Sequence, residues 1–220
     1  MIKNALRQIT PPVIWKIAEH FTSNHRSPVH GEQKDSKWYN VYYAQFRDVK
    51  QHYASSPYYF MYAVLADRIL RANHTTLLEI GCGRGRLPNI LRHQNFKNYV
   101  GFDFSREQLK IAQRNCPEFS FLYADAFTTD LYDTVPYDAV VCTEFLEHVE
   151  GDLEIINKVR KGVRFYGSVP SFPFESHVRH FSSTNEVEQR YSSLFLNFCV
   201  IPYFFKSEKQ IIYIFEGITI

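Results

Sequence analysis

Several features that would mark a specialised class of protein are missing from this chain of 220 residues. Its 25 Lys and Arg residues nearly balance its 23 Asp and Glu residues, and the net charge of +2 argues against a polycationic or strongly acidic chain. No apolar run approaches the ~18 residues of a transmembrane helix. The N-terminal residues also lack the continuous apolar stretch of a signal peptide.

Cysteine is scarce, whereas aromatic residues are abundant. The four cysteines are widely spaced and include no CxxC pair, which argues against a zinc ribbon, a thioredoxin motif or a secreted disulfide scaffold. We therefore expect a cytoplasmic location. The 19 Phe, 15 Tyr and 2 Trp residues predict a core of large side chains, and some of them are expected to line a substrate cleft.

The character of the sequence changes near residue 75, which divides the chain into two predicted parts. Residues 1–74 are irregular and aromatic-rich, and they predict an N-terminal helical extension and lid. Within them, Tyr58 to Leu70 reads as a helix, with Ser55 or Ser56 as its cap. Its apolar face is expected to include three residues: Phe60, Val64 and Leu65.

Residues 75–220 alternate short apolar runs with helical patterns, which is typical of a parallel sheet built from βαβ units. Ser105 with Gln108, Asp152, and Ser183 with Glu186 are expected to cap helices. The predicted fold class is α/β, a seven-stranded doubly wound sheet with an antiparallel C-terminal strand pair. The predicted strands are Thr76–Ile80, Asn98–Asp103, Phe119–Tyr123, Tyr137–Cys142, Val163–Val169, Leu194–Phe204 and Gln210–Phe215.

A glycine-rich turn follows the first predicted strand. Gly81, Gly83 and Gly85 let the backbone turn sharply at the carboxyl end of the strand, where open α/β sheets bind their ligands. Asp103 ends the next strand, where an acid can accept hydrogen bonds from ribose hydroxyls. The spacing is GxGxG rather than the GxGxxG of dinucleotide binders, and no Walker lysine is present.

Four segments in order resemble the motifs of class I S-adenosylmethionine-dependent methyltransferases: LLEIGCGRGRL, VGFDFSREQLKIA, FLYADAF and YDAVVCTEFLEHV. The resemblance extends from about Leu77 to the C-terminus. It implies an enzyme with the Rossmann-like sheet described above and with S-adenosyl-L-methionine as its cofactor.

The resemblance also implies roles for individual residues. Four of them surround the methionine part of the cofactor: Glu79, Gly81, Cys82 and Gly83. Asp103 binds the ribose and Phe104 packs on the adenine. Asp125 and Ala126 lie beside the adenine, although Asp125 could instead cap the following turn. Thr143 approaches the methyl group.

Acidic and histidine residues follow the fourth and fifth predicted strands. Glu144, Glu147 and His148 would share one face if residues 144–149 were helical. His177 follows the fifth strand, so the two groups are expected to flank one cleft. His148 and His177 are the candidate catalytic bases for a hydroxyl acceptor. We expect O-methylation of a small molecule, with a sugar or glycan precursor as the substrate hypothesis.

Two other functions are compatible with the same residues. Glu144-x-x-Glu147-His148, with a later histidine, resembles the divalent-metal site of small-RNA 2′-O-methyltransferases. The loop before that histidine is short here and no concentrated basic patch accompanies it, so we expect no metal ligand and no nucleic-acid partner. Arg179 and the histidines would offset the carboxylates instead. The second alternative is a cofactor-binding subunit without catalysis of its own.

The N-terminal segment offers a possible contact surface. Apolar residues in 1–21 are spaced along one helical side, and Lys3, Arg7 and Lys16 interleave with them. This pattern is compatible with a peripheral membrane helix, but we favour packing on its own domain or on an oligomer partner. Residues 37–75 are expected to cover the cofactor, with Tyr53, Tyr58 and Tyr59 near the cofactor or the acceptor.

Overall fold

The computed structural model describes residues 31–45 and 52–220. The predictions for residues 1–21 lie outside these ranges. The division of the chain near residue 74 stays a prediction. Among the described residues, none of the helices is both long enough and apolar enough to cross a membrane.

The described residues form one seven-stranded sheet with the order β3-β2-β1-β4-β5-β7-β6. The first five strands are parallel, and β7 pairs antiparallel with both β5 and β6. The predicted fold class is therefore confirmed. The strands are β1 (Thr76–Ile80), β2 (Asn98–Asp103), β3 (Ser120–Tyr123), β4 (Ala139–Cys142), β5 (Arg164–Pro170), β6 (Phe195–Ser207) and β7 (Gln210–Thr219).

The two central strands are apolar because both faces of the sheet are covered. All four residues of β4 are buried, and so are four of the five residues of β1. One apolar cluster on each side of the sheet forms the core. The strand order reverses between β1 and β4, so their carboxyl ends open a crevice at the edge where the glycine turn lies.

Seven α-helices accompany the sheet within the described ranges. They are α1 (Ser36–Gln45), α2 (Tyr59–Arg71), α3 (Arg86–His93), α4 (Arg106–Asn115), α5 (Leu131–Thr134), α6 (Asp152–Asn157) and α7 (Thr184–Tyr191).

Of the three caps predicted in residues 75–220, two are confirmed and one is wrong. Ser105 Oγ accepts a hydrogen bond from the Gln108 amide at 3.4 Å, and Ser183 Oγ accepts one from the Glu186 amide at 3.3 Å. Asp152 is not a cap, because α6 begins after Gly151. Its buried carboxylate instead accepts hydrogen bonds from the Arg190 guanidinium and the Tyr191 hydroxyl of α7.

The predicted apolar face of α2 is only partly correct. Leu65 is buried, but Phe60 is 66% exposed and Val64 is 38% exposed. The buried face consists instead of Met61, Tyr62, Leu65, Ala66 and Ile69. Neither predicted serine caps the helix, which begins after Tyr58 without a side-chain cap. The spacing of apolar residues along α2 is compatible with more than one buried face. Which face is buried depends on how tertiary packing rotates the helix against its neighbours.

Candidate active site

The glycine turn after β1 forms the floor of a cavity of about 620 Å³. Gly81, Gly83 and Gly85 all have positive φ angles, of 68°, 50° and 72°. A side chain is strained in this conformation. A Cβ atom at Gly81 would also lie 2.5 Å from the ring of Phe145. The turn therefore requires glycine, and it leaves its backbone open to a ligand.

Asp103 lies beside this turn at the end of β2. Its carboxylate accepts hydrogen bonds from the amides of Gly83, at 3.0 Å, and Ser105, at 2.7 Å. The side chain is buried and lines the cavity. Burial raises the pKa of Asp103 to about 6, so the group is ionised at neutral pH. Each oxygen keeps a lone pair beyond the amide bond, which suits a pair of ribose hydroxyls.

Eight of the nine residues predicted to bind cofactor line the cavity. The exception is Glu79, which lies in β1 behind the turn. Its buried carboxylate accepts a hydrogen bond from the Tyr99 hydroxyl. Burial raises the pKa of Glu79 to about 8. The predicted place beside the methionine part is not observed for Glu79, because the strand directs this side chain toward β2.

The residues predicted for the adenine end lie together. Phe104 packs against Tyr39, with ring centroids 5.4 Å apart, and both line the cavity. Asp125 Oδ1 accepts a hydrogen bond from the Phe127 amide at 2.8 Å, so the turn-capping alternative is observed. Asp125 also lines the cavity together with Ala126. An adenine contact by Asp125 stays a prediction.

Helix α1 covers the cavity and contacts both of its sides. On the cofactor side, Asn40 Oδ1 accepts a hydrogen bond from the Ser105 hydroxyl at 2.6 Å. On the other side, Gln33 lies just before α1, and its side-chain amide oxygen accepts a hydrogen bond from the Glu150 backbone amide at 2.9 Å. Of the three predicted lid tyrosines, Tyr58 lines the cavity, whereas Tyr53 and Tyr59 do not.

The segment after β4 does not form the helical face that its spacing predicts. Glu144 has a positive φ of 50°, and only Leu146–His148 forms a short 3₁₀ turn. The Glu144 carboxylate accepts a hydrogen bond from the Ser168 hydroxyl of β5 at 3.0 Å. Burial raises the pKa of Glu144 to about 7. Glu144 therefore does not share a helical face with Glu147 and His148.

Glu147, His148 and His177 do come together. The two imidazole rings lie 4.8 Å apart, centroid to centroid, and His148 Nε2 lies 3.7 Å from Glu147 Oε1. One ligand atom of each residue lies within 4.8 Å of the others. Burial lowers the pKa of His148 to about 3 and that of His177 to about 4, so both imidazoles are neutral at pH 7. We call these three residues the histidine cluster.

Arg179 was expected to offset the carboxylates, but it makes its hydrogen bonds to the backbone rather than to Glu147. Its guanidinium donates hydrogen bonds to the backbone carbonyls of Leu146, Val149 and Glu150 and lies 3.5 Å from the Asp152 carboxylate. It thus supports the turn that carries the histidine cluster. Burial and the negative charge of Glu144 raise the pKa of Glu147 well above its ordinary value, and the positive charge of Arg179 opposes that rise.

The sequence analysis missed an aromatic wall at the acceptor side of the cavity. Trp38 and Tyr42 of α1 stack with centroids 4.6 Å apart, and Tyr42 contacts Phe174 at 6.0 Å. Phe172 and Phe205 complete the wall. The spacing of Trp38, Tyr39, Tyr42 and Tyr43 places rings one helical turn apart, and this signal could have identified α1 as part of the site.

Comparisons with known proteins identify the class to which this site belongs. Residues 78–167 match the family described as "Methyltransferase domain". The strand order and the glycine turn agree with this match, so the region that carries the cofactor motifs is a methyltransferase domain with the fold of the class I S-adenosylmethionine-dependent enzymes. The resemblance found in the sequence is therefore confirmed.

Individual relatives are more distant. The chain is 31% identical over 97 residues to the "Ubiquinone biosynthesis O-methyltransferase" of Aliivibrio fischeri (strain MJ11). That match covers 42% of this chain and 41% of the relative, so the chain spans about two fifths of the length of this curated protein.

Two solved structures share the fold at low sequence identity. The magnesium protoporphyrin IX methyltransferase of Synechocystis PCC 6803, solved with bound SAM, superposes with a TM-score of 0.61 at 13% identity, covering 85% of this chain and 98% of that one. A possible histamine N-methyltransferase from Thermotoga maritima gives a TM-score of 0.58 at 16% identity, covering 84% and 98%. These likenesses concern the fold.

Proposed function

We propose that this chain transfers the methyl group of S-adenosylmethionine to a hydroxyl group of a small molecule. The observation that carries the proposal is the continuity of the cavity. It is lined at one end by the glycine turn and Asp103 and at the other by His148, His177 and the aromatic wall. Direct transfer requires both molecules in one space, with reacting atoms ~3–3.5 Å apart.

Residues of the cofactor end bind and orient the methyl donor. Asp103 accepts the ribose hydroxyls, while Phe104 and Tyr39 offer aromatic surface to the adenine. When bound, S-adenosylmethionine supplies a methyl group on a positively charged sulfur, and a neutral thioether leaves. The ends of β1 and β4 meet at Gly81 and Thr143, where we expect the methyl group to lie.

Residues at the acceptor end of the cavity assist the loss of the proton from the acceptor hydroxyl. Its proton must leave as the new carbon–oxygen bond forms, and His148 and His177 line the cavity where we expect the acceptor to bind. The base role of His148 and His177 stays a prediction. Their low pKa values give them little capacity to keep a proton, so the proton must travel on to solvent.

A sugar or glycan precursor remains the acceptor that we propose. Such a ring has an apolar face that can stack on Trp38 or Phe174 and hydroxyls that can reach polar groups. Lys206 and Gln210 line the same part of the cavity and supply such groups. Pockets of this composition, mostly aromatic with a few polar groups, are typical of small-molecule sites.

Mass spectrometry of reaction products tests the proposal. The purified chain would be incubated with S-adenosylmethionine and three acceptor sets: sugars and glycan precursors, small phenols, and short RNAs. We expect one added methyl group on a hydroxyl of a sugar, and none with the Asp103→Ala protein. Methylated RNA would favour the 2′-O-methyltransferase alternative. Cofactor binding without any product would favour the non-catalytic subunit.

A further inference from the structure

The Glu147 carboxylate is buried without a hydrogen-bond partner. Its side chain is 0% exposed, and neither of its oxygens makes a hydrogen bond. A buried polar group in this state costs free energy unless something else binds it. Both the Asp103 and the Glu144 carboxylates accept hydrogen bonds in the same region, so Glu147 differs from these two carboxylates.

The two histidines of the cluster adopt the same tautomer. His148 Nδ1 lies 2.9 Å from the Ser176 carbonyl oxygen, and His177 Nδ1 lies 3.1 Å from the Phe172 carbonyl oxygen. A carbonyl only accepts, so each Nδ1 must carry the hydrogen and donate it. Each Nε2 is left with a lone pair. A backbone carbonyl that fixes the imidazole in this tautomer is the usual support of a metal-binding histidine.

Three electron-pair donors lie together when Glu147 is ionised, and a bound cation favours that form against the burial that raises the pKa of this carboxyl. The donors are a Glu147 oxygen and the ring nitrogens of His148 and His177, all within 4.8 Å of one another. Water could satisfy only part of this set, because it brings two hydrogens to three acceptors. A cation satisfies all three.

We propose that Glu147, His148 and His177 bind a divalent cation of the first transition series. One carboxylate and two imidazoles favour Mn²⁺, Fe²⁺, Co²⁺ or Zn²⁺ over Mg²⁺ and Ca²⁺, which prefer oxygen ligands. This inference opposes the expectation from sequence that no metal is bound. The geometry supports it because the Arg179 guanidinium makes its hydrogen bonds to backbone carbonyls and leaves the Glu147 carboxylate without a hydrogen-bond partner.

The catalytic use of the cation rests on the proposed function. His148 and His177 line the cavity, so a cation there would contact an acceptor hydroxyl and lower its pKa. The oxygen–hydrogen bond breaks and its proton leaves to solvent. The oxygen forms the new bond to the methyl carbon, the sulfur–carbon bond breaks, and sulfur keeps the electron pair. The histidines then act as ligands rather than as bases.

Direct metal binding tests the inference without any acceptor. Protein without an affinity tag would be stripped with a chelator and titrated with Mn²⁺ by electron paramagnetic resonance and with Co²⁺ by visible absorption. We expect one ion per chain. We also expect His177→Ala and the near-isosteric Glu147→Gln to weaken binding at least ~10-fold. His93→Ala and Glu154→Gln are matched controls outside the cavity and should bind as the unchanged protein does.

Two results would overturn the inference: no binding of either ion to stripped, folded protein, or binding that both cluster variants retain. Thermal unfolding checks that the variants fold, and added Mn²⁺ should raise the melting temperature only where the cluster is intact. Failure of the proposed function is a separate outcome. In that case the ion binds and the cluster variants lose it, while no acceptor is methylated. Methyl transfer that persists in stripped protein would overturn the catalytic use.

Discussion

Removal of the Asp103 carboxylate should weaken cofactor binding strongly. Two ribose hydroxyls donating to one carboxylate form charge-assisted hydrogen bonds, and their loss costs on the order of 2–4 kcal/mol. At ~1.4 kcal/mol per factor of ten, the dissociation constant should rise roughly 30- to 1000-fold. Asp103 is ionised at pH 8, because its pKa is about 6.

Isothermal titration calorimetry with the demethylated cofactor at pH 8 measures this loss in Asp103→Ala. The carboxylate also accepts from the Gly83 and Ser105 amides, so part of the loss could come from the turn itself. Asp103→Asn separates the two causes, since it keeps one acceptor oxygen and the side-chain shape. It should fall between the native protein and Asp103→Ala. An affinity unchanged in Asp103→Ala would refute the ribose assignment.

Three further predictions follow from the geometry. Cofactor affinity should fall as the pH drops through about 6, because protonation of Asp103 removes an acceptor, and calorimetry should show a flatter profile for Asp103→Asn. Asp152→Ala should lower the free energy of unfolding by about 3 kcal/mol in urea titrations, because the buried carboxylate pairs with Arg190 at 2.6 Å. The control Glu154→Ala changes an exposed residue of α6 and should lower the free energy of unfolding by under about 1 kcal/mol. Equal losses in the two variants would contradict the argument. Trp38→Ala should raise the KM for the acceptor several-fold and leave cofactor affinity within about twofold, whereas the opposite pattern would place the acceptor elsewhere.

The sheet could be predicted well because its signals are local. β1 and β2 have the predicted bounds, since each is a short apolar run that ends at a glycine or an acid. β4 starts two residues later than predicted. The reason is Asp138, whose carboxylate accepts hydrogen bonds from Thr75 before the strand begins.

The site could be predicted only where sequence motifs carry it. The glycine turn and Asp103 are contiguous with strands, so their place followed from the strand order. The conformation of Glu144 depends on a positive φ and on the Ser168 hydroxyl of a neighbouring strand, which spacing along the chain does not reveal. The aromatic wall requires the position of α1 across the cavity, which is a tertiary contact.

The loop after β5 has two structural roles, and Arg179 provides one of them. This loop contributes His177 to the cluster. Two residues later, the Arg179 guanidinium donates hydrogen bonds to backbone carbonyls of the turn that carries His148. The spacing between the two imidazoles is thus tied to contacts between the segments after β4 and β5, which include a hydrogen bond from the Val178 amide to the Glu147 carbonyl at 2.8 Å. A one-residue insertion between His177 and Arg179 would disturb both imidazoles together.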